Sequence, residues 1–251
     1  MAIRLFGIRP LLWPTLMTLP AVLGALALGT WQVQRLEWKN ALIAERQARR
    51  DAPPLAALPE PFVAARDEFR KVRVTGRFLH DKEMYLAARS FRGNAGYHVL
   101  TPLALAGGRT VLVNRGWIPL DRKAPETRKP GNREGETAVE GYLRAESGPG
   151  WFTPDNEPEK NFWFFVDLAA MAKAHGIAGL APFYIEAGPA ENPGGFPVGG
   201  ITRFEIPNDH LQYAITWYSM AVIGIVIYLL YHRRRARERA EPPAQASAAR
   251  R

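Results

Sequence analysis

Residues 10–34 carry no charged side chain over 25 positions, between Arg9 and Arg35. Residues 211–231 carry none over 21, between His210 and His232. No other feature of the 251-residue chain limits its fold as strongly. A bilayer core of ~30 Å needs ~20 helical residues at ~1.5 Å each, so both stretches predict membrane-spanning helices. Trp13 and Trp31 lie at the two ends of the first. Tyr213, Trp217, Tyr228 and Tyr231 flank the second, which suits the interfacial preference of amphipathic rings. The competing reading of the first stretch is a cleaved signal peptide, with Ala25-Leu26-Ala27 as the small-residue cleavage site. Against it, the stretch is longer than a usual signal core, and a retained helix would run well past Ala27.

The net charge of +9 first points to nucleic acid, but its distribution argues otherwise. Residues 36–209 hold 23 basic and 22 acidic side chains, so the excess lies at the two ends, beside the apolar stretches. A nucleic-acid domain concentrates its charge on a folded surface; this pattern is that of a membrane protein, with no nucleic-acid partner. The absence of cysteine excludes disulfides, Cys-ligated zinc or copper and covalent c-type haem attachment. Arg233, Arg234, Arg235, Arg237 and Arg239 follow the second span and predict a cytoplasmic C-terminus, which places the N-terminus, with Arg4 and Arg9, on the same side. Arg35, Lys39, Arg46, Arg49 and Arg50 lie on the expected outer side and oppose that assignment.

These signals divide the chain into a cytoplasmic N-terminus (1–9), a first transmembrane helix (10–34), and a helical extension with a Pro-rich linker (35–61). A β-rich external domain (62–209), a second transmembrane helix (210–231) and a basic disordered tail (232–251) follow. No Gly or Pro occurs between Thr30 and Ala52, so the first helix continues out of the membrane until Pro53 and Pro54 stop it. In the central domain, Phe69–Phe78 alternates, with Val72 and Val74 on one face and Lys71 and Arg73 on the other. Residues 83–91, 97–105, 110–120, 138–143 and 183–187 read as further strands, and 168–175 as a short helix stopped by Gly176. Polar loops at 121–136 and 147–161 do not read as core. The expected fold class is an α+β membrane protein, with two terminal transmembrane helices flanking a β-rich extramembrane barrel or sandwich with one short helix.

The sequence holds no Gly-x-Ser-x-Gly elbow, phosphate loop, His-Glu-x-x-His or dinucleotide fingerprint. Asp67, Glu68, Asp81 and Glu83 read as solvated carboxylates at strand ends, and His80, His98 and His175 as structural. His210 stands at the outer mouth of the second span. It shares a helix face with Tyr213, Ala214 and Trp217, continued by Ala221 and Gly224. A His above a groove of small residues, flanked by aromatic rings, can receive a flat ring with imidazole as axial ligand. It can equally be a helix seam in which Ala21, Ala25 and Gly29 approach and His210 bonds Asp209. Trp31 and Arg35, one turn apart at the same depth, can bind an anionic group or anchor the helix in lipid. Arg115 and Trp117, at a strand end beside Gly116, either project to one spot or stack in a turn.

Four segments together carry a family likeness. They are Leu28-Gly29-Thr30-Trp31-Gln32-Val33-Gln34-Arg35-Leu36 with Lys39, Val113-Asn114-Arg115-Gly116-Trp117-Ile118-Pro119, His210-Leu211 with Tyr213-Ala214 and Trp217-Tyr218, and the strand Phe69–Phe78. In this order and between two terminal spans, they resemble the surfeit locus protein 1 family, the cytochrome c oxidase assembly factors. The likeness covers about residues 10–231. It implies a non-enzymatic inner-membrane factor that binds haem a transiently and helps deliver it to the catalytic subunit of the oxidase. His210 is the implied haem contact, with Trp31, Arg35, Tyr213, Ala214, Trp217, Arg115 and Trp117 around it. Implied partners are that subunit, a haem a synthesis enzyme and membrane lipids, with the large domain in a bacterial periplasm. The competing class is a scaffold for the nascent subunit that never touches haem; a lipid- or quinone-handling protein is more distant.

Overall fold

A computed structural model describes residues 10–201 and 206–240. The expectations for residues 1–9, including Arg4 and Arg9, and for the end of the tail from 241 lie outside the described residues. The described chain forms two compact units, one of residues 10–43 with 206–240, the other of 44–201.

The first unit is a pair of antiparallel helices. Helix α1 runs unbroken from Leu12 to Asp51 and helix α4 from His210 to Ala240. The absence of Gly and Pro after Thr30 lets α1 continue to Asp51, whose last residues belong to the second unit. Pro20 lies inside α1; it costs one backbone hydrogen bond, which spanning helices tolerate where a neighbour packs alongside. Contact is confined to a narrow seam. Ala25, Gly29, Ala214 and Ala221 are buried, while Leu16, Leu19, Leu23, Ile215, Val222, Ile223 and Ile227 are exposed. Both helices are long and apolar enough to cross a membrane, and a water-soluble core helix would bury such side chains. The expected disordered tail is corrected at its start, since α4 stays helical through Arg237 and Arg239.

The second unit is a small β-barrel. Its strands are β1 (Lys71–Phe78), β2 (Met84–Phe91), β3 (Asn94–Leu105), β4 (Thr110–Pro119), β5 (Glu136–Arg144), β6 (Phe162–Trp163) and β7 (Leu180–Ala187). The sheet order is β1-β5-β7-β4-β3-β2-β6, and β1 also pairs with β3, so five strands close a ring and β2 and β6 extend from it. Pairing is antiparallel except for β4–β7 and β2–β6. Closure needs Gly76, opposite Leu105: a Cβ there would stand 2.4 Å from the Ala104 carbonyl oxygen.

Strand periodicity builds two main cores on opposite faces of the sheet, beside a smaller cluster of Tyr85, Val99 and Ile118. Val72, Val74, Phe78, Leu103, Val111, Val113, Val139, Phe183 and Ile185 form one, drawn from the five ring strands. Met84, Leu86, Leu100, Leu112 and Trp163 form the other, covered by helix α3 (Leu168–Ala174). Leu112 faces α3 while its neighbours Val111 and Val113 face the ring core, which is why β4 reads as one continuous apolar run. Asp167 caps α3, its Oδ1 accepting from the Ala170 N–H at 2.9 Å. The one-turn helix α2 (Ala64–Asp67) and the two-residue strand β6 had no legible sequence signal.

Candidate functional site

The helix pair is joined by polar contacts at its two ends. At one end, the Leu11 N–H donates to His232 Nε2 at 3.1 Å, and His232 Nδ1 donates to the Tyr228 carbonyl at 2.9 Å. Both imidazole nitrogens are engaged and the ring is buried, so His232 is a structural clasp. The Tyr228 hydroxyl meets Thr15 Oγ1 at 2.7 Å one turn away. Farther along, the Tyr218 ring lies over Gly29 and its hydroxyl is 3.2 Å from Thr30 Oγ1.

At the other end stands His210, half-buried at the first residue of α4. Its Nδ1 lies 2.6 Å from Gln32 Oε1. An amide oxygen only accepts, so Nδ1 carries the proton and donates it. Nε2 then holds the lone pair, and no described residue bonds it. Gln32 is 8 % exposed, on the seam face of α1. The sequence reading passed over Gln32, although it lies three residues beyond Gly29 and so on the same helix face. It also offered Asp209 as the partner of His210, and Gln32 takes that place. Asn208 Nδ2 donates to Asn40 Oδ1 at 2.8 Å and ties the chain entering α4 to α1.

The residues expected around His210 separate. Ala214 and Ala221 are buried in the helix seam, so the small-residue stripe is covered by α1. Tyr213 is exposed and Trp217 half-exposed. Trp31 is 52 % exposed, and the exposed Arg35 guanidinium lies 3.9 Å over the Trp38 ring.

Arg115 and Trp117 belong to the barrel unit. Val99 faces Gly116 and Leu100 faces Asn114, so Arg115 is the extra residue of a β-bulge. Gly116 has φ +114°, and a Cβ on it would stand 1.9 Å from the Val198 carbonyl oxygen. Asn114 Oδ1 accepts from the Gly116 N–H at 3.1 Å and locks the bulge. Bulges re-aim a side chain, and this one aims Arg115 at Glu83. Its Nη1 donates to Glu83 Oε1 at 3.0 Å, while Arg128 Nη2 donates to Oε2 at 2.6 Å. Arg115 also donates to Asn132 Oδ1 at 3.2 Å and to the Gly131 carbonyl, which fixes the 121–133 segment to the barrel.

The solvated reading of Glu83 and Asp67 is therefore corrected: both are buried, Glu83 at 4 % exposure, because cations meet them. The 121–136 loop likewise supplies a core residue, Arg128. Burial raises the Glu83 pKa, but hydrogen bonds from His80 and Arg128 and the charges of Arg128 and Arg115 outweigh it and hold the carboxyl at about 2. Burial draws Arg115 down to about 10, which leaves it charged at neutral pH. Trp117 is buried among Phe91 and Phe196, and its backbone exchanges two hydrogen bonds with Val198.

Two helices long and apolar enough to cross a membrane, one before and one after a five-stranded barrel in the chain and joined by the hydrogen bond between Gln32 and half-buried His210, define the class of this chain. The family model described as the SURF1 family matches residues 19–222. Surfeit locus protein 1 of Mus musculus is 40% identical over 220 residues, covering 82% of this chain and 70% of that protein. A SURF1-like protein of Monosiga brevicollis is 38% identical over 247 residues, covering 92% and 93%. Surfeit locus protein 1 of Homo sapiens is 39% identical over 213 residues, covering 78% and 70%. The chain belongs to the SURF1 family.

Proposed function

We propose that this chain is a non-enzymatic membrane factor for cytochrome c oxidase assembly that holds haem a through His210 and assists its insertion into the catalytic subunit. The observation that carries this reading is the His210–Gln32 pair. Second-partner hydrogen bonds of this kind orient metal-binding imidazoles and raise their basicity. Gln32 keeps the proton on Nδ1 and leaves the Nε2 lone pair for an iron. Haem a, when bound, supplies that iron, an apolar ring and tail, and two carboxylates.

The exposed faces of Trp31, Tyr213 and Trp217 give apolar contact, and Arg35 gives a cation for a propionate. Ala214 acts through the seam, by letting α1 bring Gln32 to His210. Arg115 and Trp117 are buried within the barrel unit, where Arg115 holds the 121–133 segment. Among the described residues no group of three metal-ligating side chains exists, so iron would arrive within its porphyrin rather than into a protein cage. A single protein ligand also suits a carrier that must release its cargo.

In this reading the spans lie N-in and C-in in a bacterial inner membrane, with the barrel on the outer, periplasmic side. The arginines after the second span support that orientation. The nascent subunit is the principal partner, and a haem a synthesis enzyme is a second. One observation favours a haem-independent scaffold instead. The small-residue stripe is filled by α1, so no flat ring lies in it.

The test is co-expression with the haem a synthesis pathway, purification in mild detergent, and absorption spectra of wild type and His210→Ala. A Soret band of haem a character that His210→Ala loses, while His80→Ala, His98→Ala and His175→Ala keep it, is expected. No band from well-folded wild type made in the presence of haem a overturns the haem reading in favour of the scaffold.

A further inference from the structure

A second site lies within the barrel unit itself. A half-open cleft of about 990 Å³ opens beside β2, lined by Arg89, Arg92, His98, Asn114, Arg144 and Phe164, among others. That volume is at the upper end for small-molecule sites and exceeds what a lone ion fills.

The cleft carries three guanidiniums in two different states. Arg144 is neutralised, its Nη1 donating to Glu186 at 2.7 Å and its Nε to Glu68 at 3.2 Å. Arg89 makes one bond, to the Phe164 carbonyl at 3.2 Å. Arg92 lies 5.1 Å over the Phe91 ring and stays exposed. Neither Arg89 nor Arg92 has a carboxylate within ion-pair distance among the described residues. Among the described residues, two cations without a carboxylate partner share this concavity, in which Glu186 is occupied by Arg144, and they focus a positive potential into it.

His98 adds a neutral donor. Asn114 Oδ1 is committed to the Gly116 N–H, so its amide group donates to His98 Nδ1 at 3.2 Å. An imidazole that accepts at Nδ1 carries its proton on Nε2. This tautomer presents an N–H donor, not a lone pair, so His98 fits an anion and not a metal. Burial, followed by the nearby Arg89 charge, holds its pKa down at about 4 and keeps the ring neutral.

The backbone beside the cleft is shaped against its own preference. The β2–β3 register shifts between Leu86 and Arg89, and Ala88 and Arg92 have φ +54° and +50°. For residues other than Gly this conformation costs about 1–3 kcal/mol each and collects at functional sites. Here Ala88 precedes Arg89 at the register shift, and Arg92 with Gly93 forms the two-residue turn between β2 and β3. Phe91, Phe164 and Phe165 supply apolar wall beside them.

We propose that this cleft binds a carboxylate-bearing organic ligand, with Arg89, Arg92 and the His98 Nε2–H as donors to the carboxylate and the phenyl rings against its apolar part. A guanidinium fork matches a carboxylate in two parallel bonds. The shared chemistry has two sources, a free polycarboxylic acid or the acidic side chains of a partner polypeptide. The site is independent of His210 and does not rest on haem binding.

Calorimetric titration of the full chain in detergent, at low salt, decides this with two probes. One is citrate. The other is a capped pentapeptide of alternating Glu and Phe, with its Gln-for-Glu counterpart as control. Saturable binding of either acidic probe is expected, weakened roughly tenfold by Arg92→Gln and again by Arg89→Gln. Arg73→Gln, on an exposed strand face outside the cleft, is expected to leave it unchanged. Citrate binding assigns a small acid, and peptide binding without citrate binding assigns a partner segment. Arg92 is exposed and its loss leaves the fold intact, so an unfolded Arg89→Gln does not remove the test. No binding of either probe at millimolar concentration overturns the proposal, as does binding that Arg92→Gln leaves unchanged or that the Gln peptide reproduces.

Discussion

The Glu83 cluster of the barrel and the His210 end of the helix pair use their polar groups in opposite ways. In the barrel, Glu83 is met by Arg115 and Arg128, with Thr101 and Tyr85 bonding the same carboxylate. Each charged group of this cluster is answered by another protein group. In the helix pair, Gln32 answers one nitrogen of His210 and leaves the other without a described partner. Both arrangements sit on sequence motifs of similar prominence. The first holds a loop to a barrel; the second fixes one nitrogen of a side chain. A motif arginine is therefore no sign of a binding site until its partners are known, and what the other nitrogen of an imidazole can do depends on which nitrogen its partner engages.

The largest effect should come from breaking the barrel cluster. Glu83→Gln leaves Arg115 and Arg128 buried side by side without a counter-charge. Removing one member of a buried ion pair costs about 3–5 kcal/mol. We expect a loss of that size in denaturant unfolding, with proteolytic opening of the 121–133 segment. A loss below 1 kcal/mol would mean that the two arginines find other partners or water. The helix pair should be untouched, with the haem spectrum retained in whatever folded protein is recovered.

Acid should separate two titrations within the barrel. The folded pKa of His98 lies at about 4, below the ordinary 6.5. The unfolded chain therefore binds the extra proton between those values. Stability from His98 is full above 6.5 and lost as pH falls towards 4, by up to about 3 kcal/mol. His175 shifts in the same direction, mainly through burial. The depressed Glu83 adds a second limb, present above about 4.5 and lost as pH falls towards 2. Unfolding free energies at pH 7.5, 5.5 and 4 should fall in that order, and His98→Asn should flatten the decline. An undiminished decline in His98→Asn would remove His98 as its source.

How far these features could be read from the sequence follows the range of the interactions. β1 was legible because Val72, Val74, Gly76 and Phe78 alternate inward with Arg73, Thr75 and Arg77 outward. The terminal helices were legible because an uncharged run of that length has few alternatives. Glu83 was misread because its burial depends on Arg115 and Arg128, 32 and 45 residues away, brought to it by a bulge and a loop. The barrel closure is equally non-local, resting on the β1–β3 pairing at Gly76. His210 stood out as a lone polar group at a span boundary. Gln32 did not, because a glutamine near a membrane interface is unremarkable until a helix lies beside it.

Gln32 is the smaller but more specific test of the helix pair. Gln32→Leu keeps the volume and removes the acceptor for the His210 Nδ1 proton. Loss of such a partner typically lowers metal affinity by about 10–100-fold, and we expect haem retention to fall in that range with helix content unchanged. Gln32→Glu, which restores an acceptor oxygen, should recover most of it. Equal retention in Gln32→Leu would show that the pair only joins the helices.

The smallest effect on the fold should come from Arg35, one turn beyond Trp31 on α1. Its guanidinium lies over Trp38 on an exposed surface, with no carboxylate partner among the described residues. Exposed cation–π contacts are worth about 0.5–1 kcal/mol, so Arg35→Gln should barely move the unfolding midpoint. If Arg35 meets a haem propionate, the same substitution weakens haem retention several-fold, and Arg35→Lys recovers only part because an ammonium lacks the fork. Retention unchanged in Arg35→Gln would remove Arg35 from the site and leave it a lipid-facing anchor. The contrast with Arg115 would then be one of burial alone, both arginines being structural.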